Sequence, residues 1–540
     1  MKSTVLLLAA AMLGVAPAED GARYLIVTAD SYYSSVQPLA QWKQASGMMC
    51  KVVRMSQIGS DTTSLKNYIR TAYATWPIRP EYVLIVGSAS SVPSRQYYSH
   101  GSVYVSTDNI YGDMSGDLLA EIPVGRLPAT TTTMLDAMIA KTLDYEMHPD
   151  MTDSLWMRRM TTIVREGSDT DDSVYWNNVR RACQQAAGAG FVSADSLSSL
   201  RGDDAGDVIA SVNRGTGLVL YRGTATGSWY EPFVVRPSQV TATHKLPIIL
   251  SITCATMTLV PGEQMLGDSW IRTGTDSNPC GAVAFFGNTH SASDVAAVRG
   301  AICRGWFDGV FDEHIFKLGA ACLRAKQQLY QEYPDKTSDY RGFNLLGDPD
   351  LNIWTATPHL PNVSHLRTIR PGSQQFDVAV TNGLTPVVGA LVCVSMDSTV
   401  YEYGYTDVKG TIALNINPLD TGAMRIVVTG NNLHPYDADV AVALTVIADA
   451  SDLGPRGALL VDPTVSVSGA HIRCSIPRTS SLAICSASGR VKSEFDVTGK
   501  PLFWNGCDER GRRCEPGVYL CLATDASGRI LASTKLLLVR

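Results

Sequence analysis

The chain has 540 residues, too many for one hydrophobic core, so about three or four domains are expected. Its 45% hydrophobic and 18% charged residues are those of an ordinary globular protein. A formal charge of −6, with no basic stripe or polybasic run, argues against nucleic acid or an anionic membrane surface as a partner.

At the N-terminus, Lys2 precedes an apolar run over 5–15, and Ala16-Pro17-Ala18 places small residues at both key positions of a cleavage site. This is the pattern of a signal peptide over 1–18, because the run is far shorter than the ~20 residues a membrane span needs. The mature chain is then expected to start near Glu19, outside the cytoplasm or at the cell surface. Twelve cysteines are present without any Cys-x-x-Cys pair, so no zinc site is indicated. Cys507 and Cys514 flank a turn-like stretch and could close a hairpin disulfide. Alternatively, they are small core residues.

Strand and helix patterns alternate from residue 24 onward. Tyr24-Leu25-Ile26-Val27-Thr28 is a short apolar run, 39–46 reads as a helix, and 49–53 reads as a second strand. An amphipathic helix over 65–76 precedes the buried strand Tyr82-Val83-Leu84-Ile85-Val86, and a further helix covers 132–145. In a second block the expected strands are 160–164, 217–221, 247–252 and 282–286, with helices over 174–187 and 315–330. Continuous apolar strands separated by helices imply a parallel sheet covered on both faces. After Pro349 the pattern becomes one of alternating strands with Gly and Asp turns, as in a β-sandwich, and a join over 452–457 opens a second all-β module.

Function in such a sheet gathers where strands end at their carboxyl edge. The loops 222–229, 253–257 and 287–294 qualify. Cys254 directly follows the apolar run Pro247-Ile248-Ile249-Leu250-Ser251-Ile252, so its sulfur should emerge at that edge. A thiol there can attack a carbonyl if a base or a positive field favours its thiolate. Taken alone, a cysteine after a strand is more often simply core.

Several stretches, in order, resemble the gingipain family of cysteine peptidases over most of residues 20–450. They are Gly116-Asp117-Leu118-Leu119-Ala120-Glu121-Ile122-Pro123-Val124-Gly125-Arg126-Leu127, then Leu218-Val219-Leu220-Tyr221-Arg222-Gly223, then the strand ending in Thr253-Cys254. Gly281-Ala282-Val283-Ala284-Phe285-Phe286-Gly287 and Asn344-Leu345-Leu346-Gly347-Asp348-Pro349 follow. The resemblance implies a caspase-like α/β domain in two subdomains, 19–146 and 147–355, followed by an immunoglobulin-like sandwich over 356–450. It makes Cys254 the counterpart of the nucleophile and Glu121 that of the acid steering the catalytic histidine.

In the family that histidine lies in a Gly-His-Gly segment; this chain reads Gly223-Thr224-Ala225-Thr226-Gly227 there. Threonine cannot serve as a base near neutral pH. Ala225 stands where the family has a glycine whose backbone N–H holds the oxyanion. Among the nine histidines, only His290 lies in one of the three edge loops. It is the candidate displaced base, and a solvated loop histidine is the alternative. The stretch 128–134 lacks an acid suited to an arginine-binding pocket. No cofactor is required, though the family often binds structural calcium, for which Asp108, Asp113 and Asp117 are candidate ligands.

The segment 451–540 resembles the Ig-like sorting domains that end secreted proteins of Bacteroidetes-like bacteria. The resemblance rests on Ala487-Ser488-Gly489-Arg490-Val491, Phe503-Trp504-Asn505-Gly506-Cys507-Asp508 and Gly517-Val518-Tyr519, and implies type IX export machinery as a partner. Two functions are therefore expected. One is a secreted cysteine endopeptidase acting on protein or peptide substrates through Cys254, His290 and Glu121. The other is an inactive relative serving as a surface binding or adhesion protein.

Overall fold

The computed structural model describes residues 21–444 apart from 169, 294 and 398, and 459–539 apart from 463–464, 467–469, 475, 477–478, 480, 487–488, 498–501 and 527–528. The expected signal peptide over 1–18, the expected join over 452–457 and the Ala487-Ser488 pair lie outside the described residues. The chain forms two compact units, one built chiefly from residues up to 361 and one from residues 362 onward.

In the first unit the strands are β1 (Tyr24–Thr28), β2 (Cys50–Arg54), β3 (Tyr82–Val86), the hairpin β4 (Arg95–Ser99) and β5 (Ser102–Thr107), β6 (Val124–Leu127), β7 (Arg159–Arg165) and β8 (Ser193–Ser198). They continue as β9 (Leu218–Gly223), the short β10 (Ala225–Thr226) and β11 (Ser228–Trp229), β12 (Ile248–Ala255), β13 (Ala284–Asn288) and β14 (Phe343–Leu346). The helices are α1 (Gln37–Ala45), α2 (Met55–Ile58), α3 (Thr62–Thr75), α4 (Thr132–Met147), α5 (Asp171–Gly188), α6 (Ala205–Arg214), α7 (Leu266–Arg272), α8 (Ala296–Phe307), α9 (Leu318–Glu332) and α10 (Thr337–Gly342).

Ten of these strands make one sheet in the order β2-β1-β3-β6-β14-β13-β12-β9-β7-β8. It runs unbroken through both segments expected as subdomains. Every pairing is parallel except that of β13 with β14. β1 and β9 are buried at every residue, as the unbroken apolar runs require of strands covered on both faces. On one face α5, α8 and α9 pack Val179, Ile302, Trp306 and Leu329 into a core shared with Leu220, Leu250 and Phe286. The strands that end near Tyr221, Ile252 and Phe286 are parallel neighbours, as the sequence indicated.

The second unit is all β. A four-stranded sheet (Asn362–Ser364, Gln374–Asn382, Thr385–Pro386, Thr411–Ile416) and a five-stranded one come first. In Gln374–Asn382 every second residue, Phe376, Val378 and Val380, is buried, the period of a strand with one face in a core. Beyond residue 459 a three-stranded and a five-stranded sheet share one core containing Ile472, Trp504, Ile484, Tyr519 and Leu536. The hairpin disulfide is not formed. Cys507 and Cys514 are both free; Cys514 is buried, and residue 507 pairs across the turn with Arg513 instead. Among the described residues no helix is long and apolar enough to cross a membrane.

Candidate active site

Parallel strands point their C-termini to one edge, so the ends of β9, β12 and β13 converge there. Thr253 donates to the Gly223 carbonyl, and the Gly227 N–H donates to that of Ala255 at 2.7 Å. The segment over 223–227 is thereby fastened to the end of β12. Gly223, at φ +150°, is needed at the turn because a Cβ there would lie 2.7 Å from that of Arg165.

Cys254 is partly exposed, and its sulfur faces an arginine. Arg299 Nη1 donates to Cys254 Sγ at 2.7 Å, while the sulfur lies 3.5 Å from the Ala292 carbonyl. Arg299 stands in the first turn of α8 and is buried. Its Nε donates to Asp339 Oδ1 at 2.9 Å, and its Nη2 to the His290 carbonyl at 3.3 Å. Asp339, on α10, is equally buried and also accepts from Asn288 Nδ2 at 3.2 Å. A guanidinium is charged at any physiological pH, so this pair fixes a positive charge against the sulfur.

A second buried cation braces the same edge. Arg222 donates from Nε to Asn178, from Nη1 to the Ile252 carbonyl and from Nη2 to the Ala296 carbonyl, tying β9, β12 and α8 together. Burial lowers its pKa from the ordinary arginine value.

His290 is reached by the same network through its backbone. Its N–H donates to Asn288 Oδ1 at 2.9 Å, and its Nδ1 lies 3.0 Å from the Tyr104 carbonyl on β5. A carbonyl can only accept, so Nδ1 carries the proton and Nε2 of the neutral ring keeps its lone pair. The ring also meets that of Tyr104 edge-on, with centroids 5.9 Å apart. Room for this comes from Gly342, where a Cβ would fall 2.1 Å from Asn288 Oδ1 and 2.9 Å from His290 Cβ. The structure thus joins His290 to Cys254 by way of Arg299, not by a bond between ring and sulfur.

The other expected residues lie as follows. Thr224 Oγ1 accepts from Arg165 Nη1 at 2.9 Å, and its carbonyl accepts from the Tyr221 hydroxyl at 2.7 Å. Ala225 is buried and pairs with Trp229 in the β10–β11 hairpin. Glu121 is exposed, and its carboxylate accepts from the Met114 N–H at 2.6 Å, a contact that shapes its own loop. Asp108 is held by Arg126 at 2.6 Å and by Ser94. Asp113 accepts from the backbone of Gly116 and Leu118, and Asp117 from that of Leu119. These three carboxylates face different partners, and among the described residues no three His, Cys, Asp or Glu side chains converge on a metal position. Arg299, Asp339, Asn288 and Arg165 are the residues sequence reasoning missed.

A family model of peptidase family C25 matches residues 17–354. The chain belongs to peptidase family C25. Two relatives from Porphyromonas gingivalis are similar to it. Gingipain R2 is 24% identical over 499 residues, a stretch covering 87% of this chain and 63% of that protein. Lys-gingipain HG66 is 22% identical over 455 residues, covering 76% of this chain and 25% of that protein. The chain therefore spans less than two thirds of the length of the gingipain R2 it matches. Among solved structures, the Arg-specific cysteine proteinase gingipain R superposes with a TM-score of 0.71 at 19% identity, over 79% of this chain and 99% of that one. The α/β unit accordingly has the caspase-like fold of the gingipains, with further all-β sheets behind it. The cysteine at the end of β12, Cys254, lies within the matched residues and has Arg299 against its sulfur.

Proposed function

We propose that the protein is a secreted cysteine endopeptidase in which Cys254 is the nucleophile and Arg299 its permanent counter-charge. The single observation that carries this reading is the 2.7 Å contact between Arg299 Nη1 and Cys254 Sγ. The thiolate, not the thiol, attacks a carbonyl, and a fixed cation beside the sulfur favours it without any histidine partner. Arginine cannot give up its proton, however, so it cannot protonate the leaving amine. That task falls to His290, whose Nε2 lone pair takes the proton that the Cys254 thiol loses and returns it to the leaving amine. Arg165, which donates to Thr224, adds positive charge beside the segment over 223–227, where the oxygen of a tetrahedral intermediate would become negative. The substrate is a protein or peptide, export removes residues 1–18, and Glu121 serves as a structural acid.

Mass-spectrometric labelling of Cys254 by iodoacetamide tests the reading. In the parent protein the rate should stay high down to pH 6. In Arg299→Met it should fall to that of an ordinary thiol, with Arg299→Lys intermediate and circular dichroism confirming the fold. His290→Ala should keep the labelling but lose hydrolysis of fluorescein-labelled casein by about 10²–10⁴-fold. Slow labelling in the parent, unaltered in Arg299→Met, would instead favour an inactive surface-binding protein.

A further inference from the structure

A cavity of 690 Å³ lies away from Cys254, lined by α3, the β4–β5 hairpin, the loop over 109–118 and α10. Four cations line it, Lys66, Arg70, Arg95 and Arg341, against two carboxylates, Asp113 and Asp117. The carboxylates are largely engaged already. Both Asp113 oxygens accept backbone N–H groups and Asp117 accepts another, while Lys66 stands 3.7 Å from Asp113.

The three arginines have no carboxylate partner among the described residues. Arg70 reaches only Asn67 Oδ1, at 3.4 Å. Arg341 and Arg95 lie over the ring of Tyr97, at 4.6 and 5.7 Å from its centroid. Arg341 Nη1 touches Thr337 Oγ1 at a long 3.5 Å, and its Nε is a buried donor without an acceptor. Unpaired guanidinium groups gathered around one cavity repel one another, and a buried N–H without an acceptor is costly. Both penalties disappear when an oxyanion enters, because a guanidinium presents two parallel N–H donors spaced for a carboxylate or a phosphate. The aromatic floor of Tyr97 holds the two forks in place.

We infer that this cavity binds a small polyanion carrying phosphate or carboxylate groups, gripped by Arg341 and Arg95 over Tyr97. The whole protein would be titrated calorimetrically with pyrophosphate and with citrate, at ionic strength held constant with sodium chloride. At least one should bind saturably at a single site. Arg341→Ala and Arg95→Ala should each weaken it by about tenfold or more, with Arg341→Lys in between because it keeps charge but loses the fork. Tighter pyrophosphate binding identifies a phosphorylated ligand, and tighter citrate binding a carboxylate one. Iodoacetamide labelling of Cys254 at the parent rate shows that each variant is folded. Absence of saturable binding by both anions, or equal affinity in folded Arg341→Ala and Arg95→Ala, overturns the inference.

Discussion

Lys43 and Arg299 are both buried cations of the α/β unit, yet they spend their charge differently. Lys43 Nζ lies 2.9 Å from Glu146, 2.6 Å from Asp348 and 3.0 Å from Asp350, and Lys317 joins Asp350 at 2.7 Å. Tyr24 and Trp42 donate to the same carboxylates. Burial works against the charge on Lys43, but Asp348, Asp350 and Glu146 outweigh it and hold its pKa well above the usual lysine value. Arg299 has one carboxylate, Asp339, and its remaining donors end on a backbone carbonyl and on the sulfur of Cys254. A buried cation surrounded by carboxylates ties α1, α4 and the chain after β14 together. One with a single carboxylate has a donor left for a reacting atom.

Removing the cation from the richer cluster should have the largest effect. Lys43→Met leaves three buried carboxylates facing only Lys317, and should cost about 3–5 kcal/mol of stability, read as a lowered urea midpoint. An unchanged midpoint would mean that the cluster is not holding the fold.

Lys326 extends the series to no carboxylate at all. Its ammonium is buried without a hydrogen-bond partner, 4.3 Å from the centre of the Tyr340 ring, and burial lowers its pKa to about 7. The unfolded chain holds that proton up to the ordinary lysine value of about 10.4, so stability should rise with pH between about 7 and 10. Below pH 7 the penalty for the buried charge is fully present. Lys326→Met should therefore stabilise the protein by on the order of 3 kcal/mol at pH 6, with the gain shrinking toward zero near pH 10. Thermal melts at the two pH values measure this, and a gain independent of pH would place the effect in packing.

The smallest effect belongs to the exposed pair in the all-β region. Arg425 and Asp437 meet at 2.6 Å, but both are 39% exposed. Arg425→Ala should change stability by about 0.5 kcal/mol or less, since water and salt screen such pairs. A larger loss would show that this pair, like Lys43, is part of a core.

The central strands β1, β3, β9, β12 and β13 were legible because each contains an unbroken apolar run, and such a run in an α/β pattern has few other fates. The four-residue β6 and the polar edge strand β8, Ser-Ala-Asp-Ser-Leu-Ser, carried no such signal. Cys254 at the edge followed from the same argument. The network behind it did not. α8 reads Ala296-Ala297-Val298-Arg299-Gly300-Ala301-Ile302-Cys303, apolar nearly all round and broken by glycine, so no helical stripe stands out. The signal was Arg299 itself, because a charge within so apolar a segment has to find a partner. α10, which supplies Asp339, is only six residues long and has no period to read. β14 was visible as a motif of the family but not as a strand, since Asn344 interrupts its apolar residues. The cysteines at 507 and 514 were close in sequence, but the turn pairs 507 with 513 and turns the buried Cys514 into the core.

The place of β14 bears on how the protein is made. It sits between β6 and β13, with Leu345 aligned to Gly125, so the middle of the sheet is closed by residues from the far end of the α/β unit. A ribosome delivers β6 and β13 first, and both then present an unpaired edge rich in apolar side chains. Neither half can complete its sheet until residue 346 has emerged, and the closing contact spans more than 200 residues, a slow kind of pairing. A nascent chain of this protein therefore stays unfinished, and in need of protection from aggregation, through most of the synthesis of its α/β unit.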